Sequence, residues 1–360
     1  MSATIHFDEK YKAALMEGFD KASETDGLFD HSLDMEFSGV KTVHVKSLRT
    51  EPLQDYDRTK GVGTGSRYGD TKEVGNEEQT FTMTQDKSLS LSVDKGNNME
   101  VMDKHKVGAI MKAEREEHII PEVDTYRLKK WAENAGMHEE LTATHTTDTI
   151  ISYIIKARNK QRDKGVKGDV SLLIPYEYLD TLQLAKQWVN LDSLGGKTLP
   201  KGTVGQISGM NVLPMSNDRM PANVVFMILH KKSVISPMKI KDFKGHVDPP
   251  GLSGDLIEFR MMYDAFVLGK KADGVLVASK PGTVVKTPTI SVAAATKAAT
   301  ITTDTENATI YYTLDGSDPR YSVEAKAYTA AVTLTSGDRL RAYAAKAGMF
   351  NSAVAAKDQA

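Results

Sequence analysis

The stretch LIEFRMMYDAFVLGKKADGVLVAS, residues 256–279, holds two apolar runs around a polar, glycine-bearing turn. Both runs are short and rich in β-branched or aromatic residues, so they read as two strands. Upstream, NVVFMILHKKSVIS (223–236) and GTVGQISGMNVLPM (202–215) read the same way. Before those, YEYLDTLQLAKQW (176–188) reads as a helix set off by Pro175, and DVSLLIP (169–175) as a buried strand. A helix over about 148–163 has Asp148 or a neighbouring Thr as its N-cap and Gly165 as its close. A longer helix over 98–134 carries a stripe of Met99, Met102, Ile110, Met111, Ile119, Val123, Tyr126 and Trp131, and Pro121 is expected to kink or restart it.

Further upstream, KTVHVKSLR (41–49) and TFTMTQDKSLSLSVD (80–94) alternate as strands. Between them, 55–79 is polar and glycine-bearing, which predicts a long hairpin whose tip has no core of its own. Loops of that length are usually functional or disordered. The first 36 residues are polar with scattered aromatics, Phe7, Tyr11, Phe19 and Phe29, as in an arm that orders by lying on something else. The sequence of elements is a β-hairpin, a long helix, a mixed region and a return to strands, so the fold class is α+β and not regular βαβ winding.

The chain's composition narrows its function. Of 360 residues, 40% are hydrophobic and 26% charged, which is ordinary for a globular protein. A net charge of -2 gives no global basic signal for nucleic acid. Without cysteine there are no disulfides, thiolate nucleophiles or Cys-based zinc sites. The opening MSATIHFDEKYK lacks the basic-then-apolar order of a secretory signal. No run reaches the roughly 18 apolar residues of a membrane span.

Composition shifts at SKPGTVVKTPT (279–289), which reads as a linker. Residues 281–360 hold 18 Ala and 13 Thr but only one of the 16 Met. Their short runs TISVAA, AATITTD, ATIYYTLD, AVTLTS and RLRAYAAK predict a small antiparallel sandwich.

Motifs for chemistry fail on spacing. In HEELTATH, His138 is followed by His145, seven residues on, so one helix face cannot present both rings to a metal; a helix end and polar loop is the expectation there. GGKT (195–198) has Leu191 where a phosphate loop needs glycine, and Gly63, Gly65 and Gly69 miss the dinucleotide spacing. Asp315 and Asp318 lack the further ligands of a calcium loop, so a turn around Gly316 is favoured. The basic run KARNKQRDKGVK (156–167) reads first as a solvated helix face, with nucleic acid or a neighbouring subunit as the sharper reading. No general acid and base stand out, and neither a cofactor nor a metal is expected.

Residues 1–280 resemble a tailed-bacteriophage major capsid protein of the Hong Kong 97 type. The resemblance rests on the order of elements and on KGTVGQISGMNVLP (201–214), VSLLIPYEYLDTL (170–182) and LIEFRMMYDAFVLGKKADGVLV (256–277). It implies an N-arm (1–40), an extended E-loop with flanking strands (41–97), a spine helix and peripheral domain (98–139), an axial domain (140–245) and return strands of the peripheral domain (246–280). It further implies a non-enzymatic protein that self-assembles into hexamers and pentamers of an icosahedral shell in the virion. Assembly would take place in the bacterial host cytoplasm, with packaged double-stranded DNA held non-specifically on the inner face. A separate scaffolding protein and a portal are implied as partners, and no membrane. Candidate inter-subunit contacts on the loop are Arg58, Lys60, Arg67 and Lys72; some relatives cross-link such a lysine to a neighbouring asparagine, and Lys60 and Lys72 are available for that.

After a linker (281–289), residues 290–360 resemble the immunoglobulin-like chitobiase/hexosaminidase C-terminal type, through ATIYYTLDGSDPRYS (308–322) and LRAYAAKAGMFNSAV (340–354). That implies an outward-facing decoration domain, with Tyr311, Tyr312 and Tyr328 as candidate contacts for host-surface glycans; tyrosines filling a sandwich core are the plainer reading. The alternative for the whole chain is a glycan-binding or glycan-processing protein with an accessory β-sandwich module.

Overall fold

The computed structural model describes residues 23–31, 36–38, 41–48, 53, 55–61, 66–69, 73, 76–95, 107–141, 149–185, 203–322 and 324–358. Residues 1–22 of the arm, Lys72, the opening of the 98–134 helix, His145 and the 195–198 turn lie outside them. The chain divides into a small unit, residues 33–84, and a large one made of the remainder.

In the small unit, β1 (Glu36–Ser38), β2 (Thr42–Leu48) and β3 (Asn76–Thr82) form an antiparallel sheet in that order. Thr42 pairs with Thr82 and Leu48 with Asn76, so β2 and β3 are the paired arms of the expected hairpin. Stretch 80–94 is not one strand, however. It breaks at Met83–Thr84, and β4 (Gln85–Asp94) belongs to the large unit. Alternation runs in phase through the break, and a period of two specifies faces but not partners.

The large unit continues with α1 (Val107–Glu114), α2 (Ile120–Glu133), β5 (Met137–Glu140), α3 (Ile150–Asp163), β6 (Val170–Pro175) and α4 (Tyr176–Gln183). Strands β7 (Gly205–Ile207), β8 (Met210–Met215), β9 (Val224–His230), β10 (Val234–Ile235) and β11 (Met238–Val247) follow. Then come β12 (Gly254–Tyr263), β13 (Phe266–Val267) and β14 (Val275–Ser279). Strand β11 escaped the sequence reading: its lysines and a register shift between Met238 and Ile240 blur the alternation.

Strands β11, β12 and β4 form an antiparallel sheet in that order. Its apolar face, with Phe243, Ile257, Phe259 and Met261, packs on Met111, Ile119, Ile120 and Val123. The helix beneath is one rod with a π-turn, Arg115–Ile119, between α1 and α2. The amide of Ile120 reaches the carbonyl of Arg115, five residues back. Pro121 explains this, since its ring cannot donate and would strike the carbonyl four residues earlier in a regular helix.

A mixed six-stranded sheet runs β5-β14-β9-β6-β8-β7, with β5/β14 and β6/β8 parallel. Its central strands are apolar on both faces. Leu172, Ile174, Phe226, Ile228, Leu276 and Ala278 face one core with α3 and α4. Leu173, Met227, Leu229, Val275 and Val277 face another, against Leu128 and Trp131 of α2. This is why those runs look continuous and not alternating. The expected helix end at HEELT is instead the edge strand β5, whose charged residues suit an edge. Between β7 and β8, Ser208 (φ 48) and Gly209 (φ 75) make a two-residue hairpin turn with both φ positive, the hand that matches strand twist. Helix α3 closes as expected at Gly165 (φ 82): its amide reaches Arg162 O and that of Val166 reaches Gln161 O.

The tail forms β15 (Thr289–Val292), β16 (Ala298–Thr302), β17 (Thr309–Thr313), β18 (Lys326–Ala327), β19 (Val332–Thr333), β20 (Arg339–Ala345) and β21 (Ala355–Asp358). These make two antiparallel sheets, β15-β16-β19 and β18-β17-β20-β21, around one core of Ala299, Ile301, Ile310, Leu334, Leu340, Ala342 and Ala344.

Candidate assembly surfaces

The loop of the small unit carries a local structure without a core. Asp57 N donates to Arg67 O at 3.0 Å, and Arg67 Nε donates to Lys60 O. The Asp57 carboxylate accepts from the amide and hydroxyl of Thr59, which holds it below the usual range. Tyr56 and Tyr68 meet edge to face at 5.1 Å. Leu53, Tyr56 and Tyr68 are nonetheless exposed. Thus Arg58, Arg67 and Lys60, the last 4.0 Å from the Asp57 carboxylate, lie beside bare apolar surface, while Lys72 lies outside the described residues.

On the large unit, an open groove of about 670 Å³ runs beside the π-turn. Leu89, Ile119, Phe259 and Met261 give it apolar lining, and its rim carries Glu114, Glu117, Glu122 and Asp218. Lys87, also on the rim, is paired with Glu122 at 3.2 Å, and Arg219 is turned to Asp124 and Glu24 at 3.1 Å. Those pairings leave the rim acidic.

Behind the groove lies a network that sequence reasoning missed. Asp124 is fully buried on α2. It accepts from Ser23 Oγ (2.5 Å), Thr25 Oγ1 (2.6 Å), Glu24 N (3.0 Å) and Arg219 Nη1 (3.1 Å). Arg127, one turn on, donates to Ser236 Oγ (2.9 Å) and Thr25 Oγ1 (3.0 Å) and lies 4.8 Å from the Phe29 ring. Buried charges persist only when bonded on several sides, so this network ties residues 23–29 to α2. The legible signal was two opposite charges, Asp124 and Arg127, three apart on the apolar stripe.

The basic run of α3 divides. Lys160 pairs with Glu139 at 2.7 Å and Arg162 donates to Ser208 O at 2.6 Å. Arg158 is buried, and burial lowers its pKa. Lys156, Lys164 and Lys167 remain exposed.

In the tail, the candidate tyrosines do not share a face. Tyr311 is half-buried on the face of β17 away from the sandwich core, stacked on Tyr343 at 5.5 Å. Tyr312 and Tyr328 pack on the core, edge to face at 6.3 Å, and Tyr328 Oη accepts from Ile301 N. Asp315 accepts from the amide and hydroxyl of Ser317 around Gly316 (φ 85), and Asp318 is engaged by Arg320. Among the described residues no cluster of metal-ligating side chains occurs.

Comparison with solved structures assigns the fold. A chain of Mycobacterium phage Che8 superposes with a TM-score of 0.52 at 18% identity, covering 67% of this chain and 85% of that one. The capsid structure of cyanophage P-SCSP1u gives 0.52 at 13%, covering 68% and 84%. The asymmetric unit of the bacteriophage PhiM1 mature capsid gives 0.50 at 14%, covering 71% and 91%. The chain therefore has the fold of phage capsid proteins. Residues 299–358 match the family described as Fn3 associated, which fits an additional C-terminal module. No curated protein matches the sequence.

Proposed function

We propose that the chain is the major capsid protein of a tailed bacteriophage, forming hexamers and pentamers of an icosahedral shell around double-stranded DNA. The observation that carries this is the shared fold, which spans about two thirds of this chain and most of each relative. In this reading residues 1–40 are the N-arm, 41–97 the E-loop, α1 and α2 the spine, 140–245 the axial domain and 246–280 the return of the peripheral domain.

The loop lies across a neighbouring copy. Its Arg58, Lys60 and Arg67 beside exposed Leu53, Tyr56 and Tyr68 complement an acidic rim over an apolar floor, such as the groove of the large unit. Exposed Lys156, Lys164 and Lys167 suit non-specific contact with packaged DNA or a neighbour. A separate scaffolding protein and a portal complete assembly. Residues 290–360 form an immunoglobulin-like module on the outer surface; Tyr311, half-buried and off the sandwich core, supports a glycan contact better than Tyr312 or Tyr328, which pack on that core. The protein acts by self-association and needs no catalytic site.

Sedimentation and negative-stain microscopy of the expressed full chain test the proposal. Capsomers or closed shells are expected. A protein that stays monomeric at high concentration and with a scaffolding protein present refutes it.

A further inference from the structure

The tail was expected to be a separate sandwich joined by a linker, and the structure also gives it contacts with the main body. The C-terminal end of α2 leaves carbonyls that need donors from outside the helix. Some are met locally: Ala132 O accepts from His138 Nε2 at 2.8 Å, and Lys130 O from Asn134. The last helical carbonyl, of Glu133, and those of the three residues after it are met from the tail. Asn351 Nδ2 donates to Glu133 O (3.2 Å), Tyr321 Oη to Asn134 O (2.5 Å), and Arg320 Nη1 to Ala135 O (3.3 Å) and Gly136 O (3.0 Å).

Arg320 is well placed for this. Its side chain is only 7% exposed, Asp318 holds it through Nε and Nη2, and its charge sits at the helix end that favours cations. The Asp318-Pro319-Arg320-Tyr321 turn thus points a pre-formed cation at the helix end.

Apolar groups add to the hold. Phe350, Tyr321 and Val284 join the core around Trp131, and Phe350 stacks on His138 at 5.3 Å. The presumed linker is bonded as well: Val284 N and Lys286 Nζ both donate to Glu140, at 2.9 and 3.1 Å. Phe350 N donates to Thr283 O and Val285 N to Phe350 O.

We infer that the C-terminal module is a built-in clamp on the main body, capping the end of α2 and bracing β5 through Arg320, Tyr321, Asn351 and Phe350. The module thereby has a stabilising function in its own subunit, independent of what its outer face meets and of whether the chain builds a shell.

Hydrogen exchange of the full chain tests this, read on wild type, Tyr321→Phe and Arg320→Gln. Tyr321→Phe keeps the ring in the core and removes only one donor. In the wild type, amides of 137–141 and of Val284 and Val285 are expected to be as protected as those of β16 and β20. In each variant the first group should exchange on the order of tenfold faster, as one lost hydrogen bond implies, while Ile301 and Leu340 stay unchanged. Exchange in both variants equal to wild type overturns the inference. So does a wild type in which Val284 and Val285 exchange as an open linker would.

Discussion

Acid should loosen the chain at one identifiable residue, His138. Its Nε2 faces the carbonyl of Ala132 at 2.8 Å and must therefore carry the hydrogen. That leaves Nδ1 as the site for a second proton, and Nδ1 is sealed from solvent without a partner. Burial, opposed by the Ala132 bond and reinforced by the nearby Arg320 charge, pushes the imidazole down to about 4 from its ordinary 6.5. Above pH 6.5 the ring is neutral in both folded and unfolded chains, so pH exerts no effect through it. Below 6.5 the unfolded chain takes up a proton that the folded chain refuses, so stability falls until the folded pKa is reached. At about 1.36 kcal/mol per pH unit the ceiling is about 3 kcal/mol, and the residue's partial exposure lowers this to about 2 kcal/mol. The perturbation is His138→Gln, whose amide can still donate to Ala132 O but does not titrate. Denaturant unfolding of both full chains at pH 7, 6, 5 and 4, at fixed ionic strength, isolates the residue because the carboxylates and the other histidines cancel in the difference. The stability difference should move by about 2 kcal/mol in favour of the variant between pH 7 and 4. A difference that stays constant over that range refutes the reasoning.

Three further outcomes follow from named contacts. Asp124→Ala strands the donors of Ser23, Thr25, Arg127 and Arg219 and should cost about 3–5 kcal/mol in denaturant unfolding; a cost below about 1 kcal/mol would show that the network holds little. At Gly136 a Cβ would collide with the Ala272 carbonyl, so Gly136→Ala should lose about 1–3 kcal/mol or fail to accumulate as soluble protein, and a wild-type melting curve would count against the packing described. Arg58→Glu with Arg67→Glu should leave the subunit's melting temperature unchanged but cut the yield of sedimenting particles; unchanged assembly at low salt would remove these arginines from the interface.

The strands and helices were legible where one periodicity ruled. The two-faced runs of β6, β9 and β14 announced themselves as uninterrupted apolar stretches, and Gly165 marked the close of α3 through the positive φ it adopts. Partners were less legible. Nothing in the alternation of 80–94 says that its first part pairs with β2 and its second with β12, because that choice is made by residues far away in the chain. Polar β5 and bulged β11 were hidden for the opposite reason: they pair mainly through backbone, which leaves little trace in side-chain pattern. Of the candidate surfaces, the loop cations could be named from sequence. The role of Arg320 and Tyr321 could not, since the turn that carries them reads the same whether it faces solvent or the end of a helix.

The wide turn at Arg115–Ile119 also bears on how such chains diverge. A helix advances by about 100° per residue, so a single inserted residue ordinarily swings everything beyond it to a different face. Here the surplus is confined to one loop of backbone, and Met111 before it, Ile119 at its end and Ile120 and Val123 after it still meet the same sheet. Length can therefore change by one residue at this point without either helical segment losing its packing. Comparison of homologous chains should find single-residue gaps concentrated within 115–119, and found together with the loss of the proline at 121.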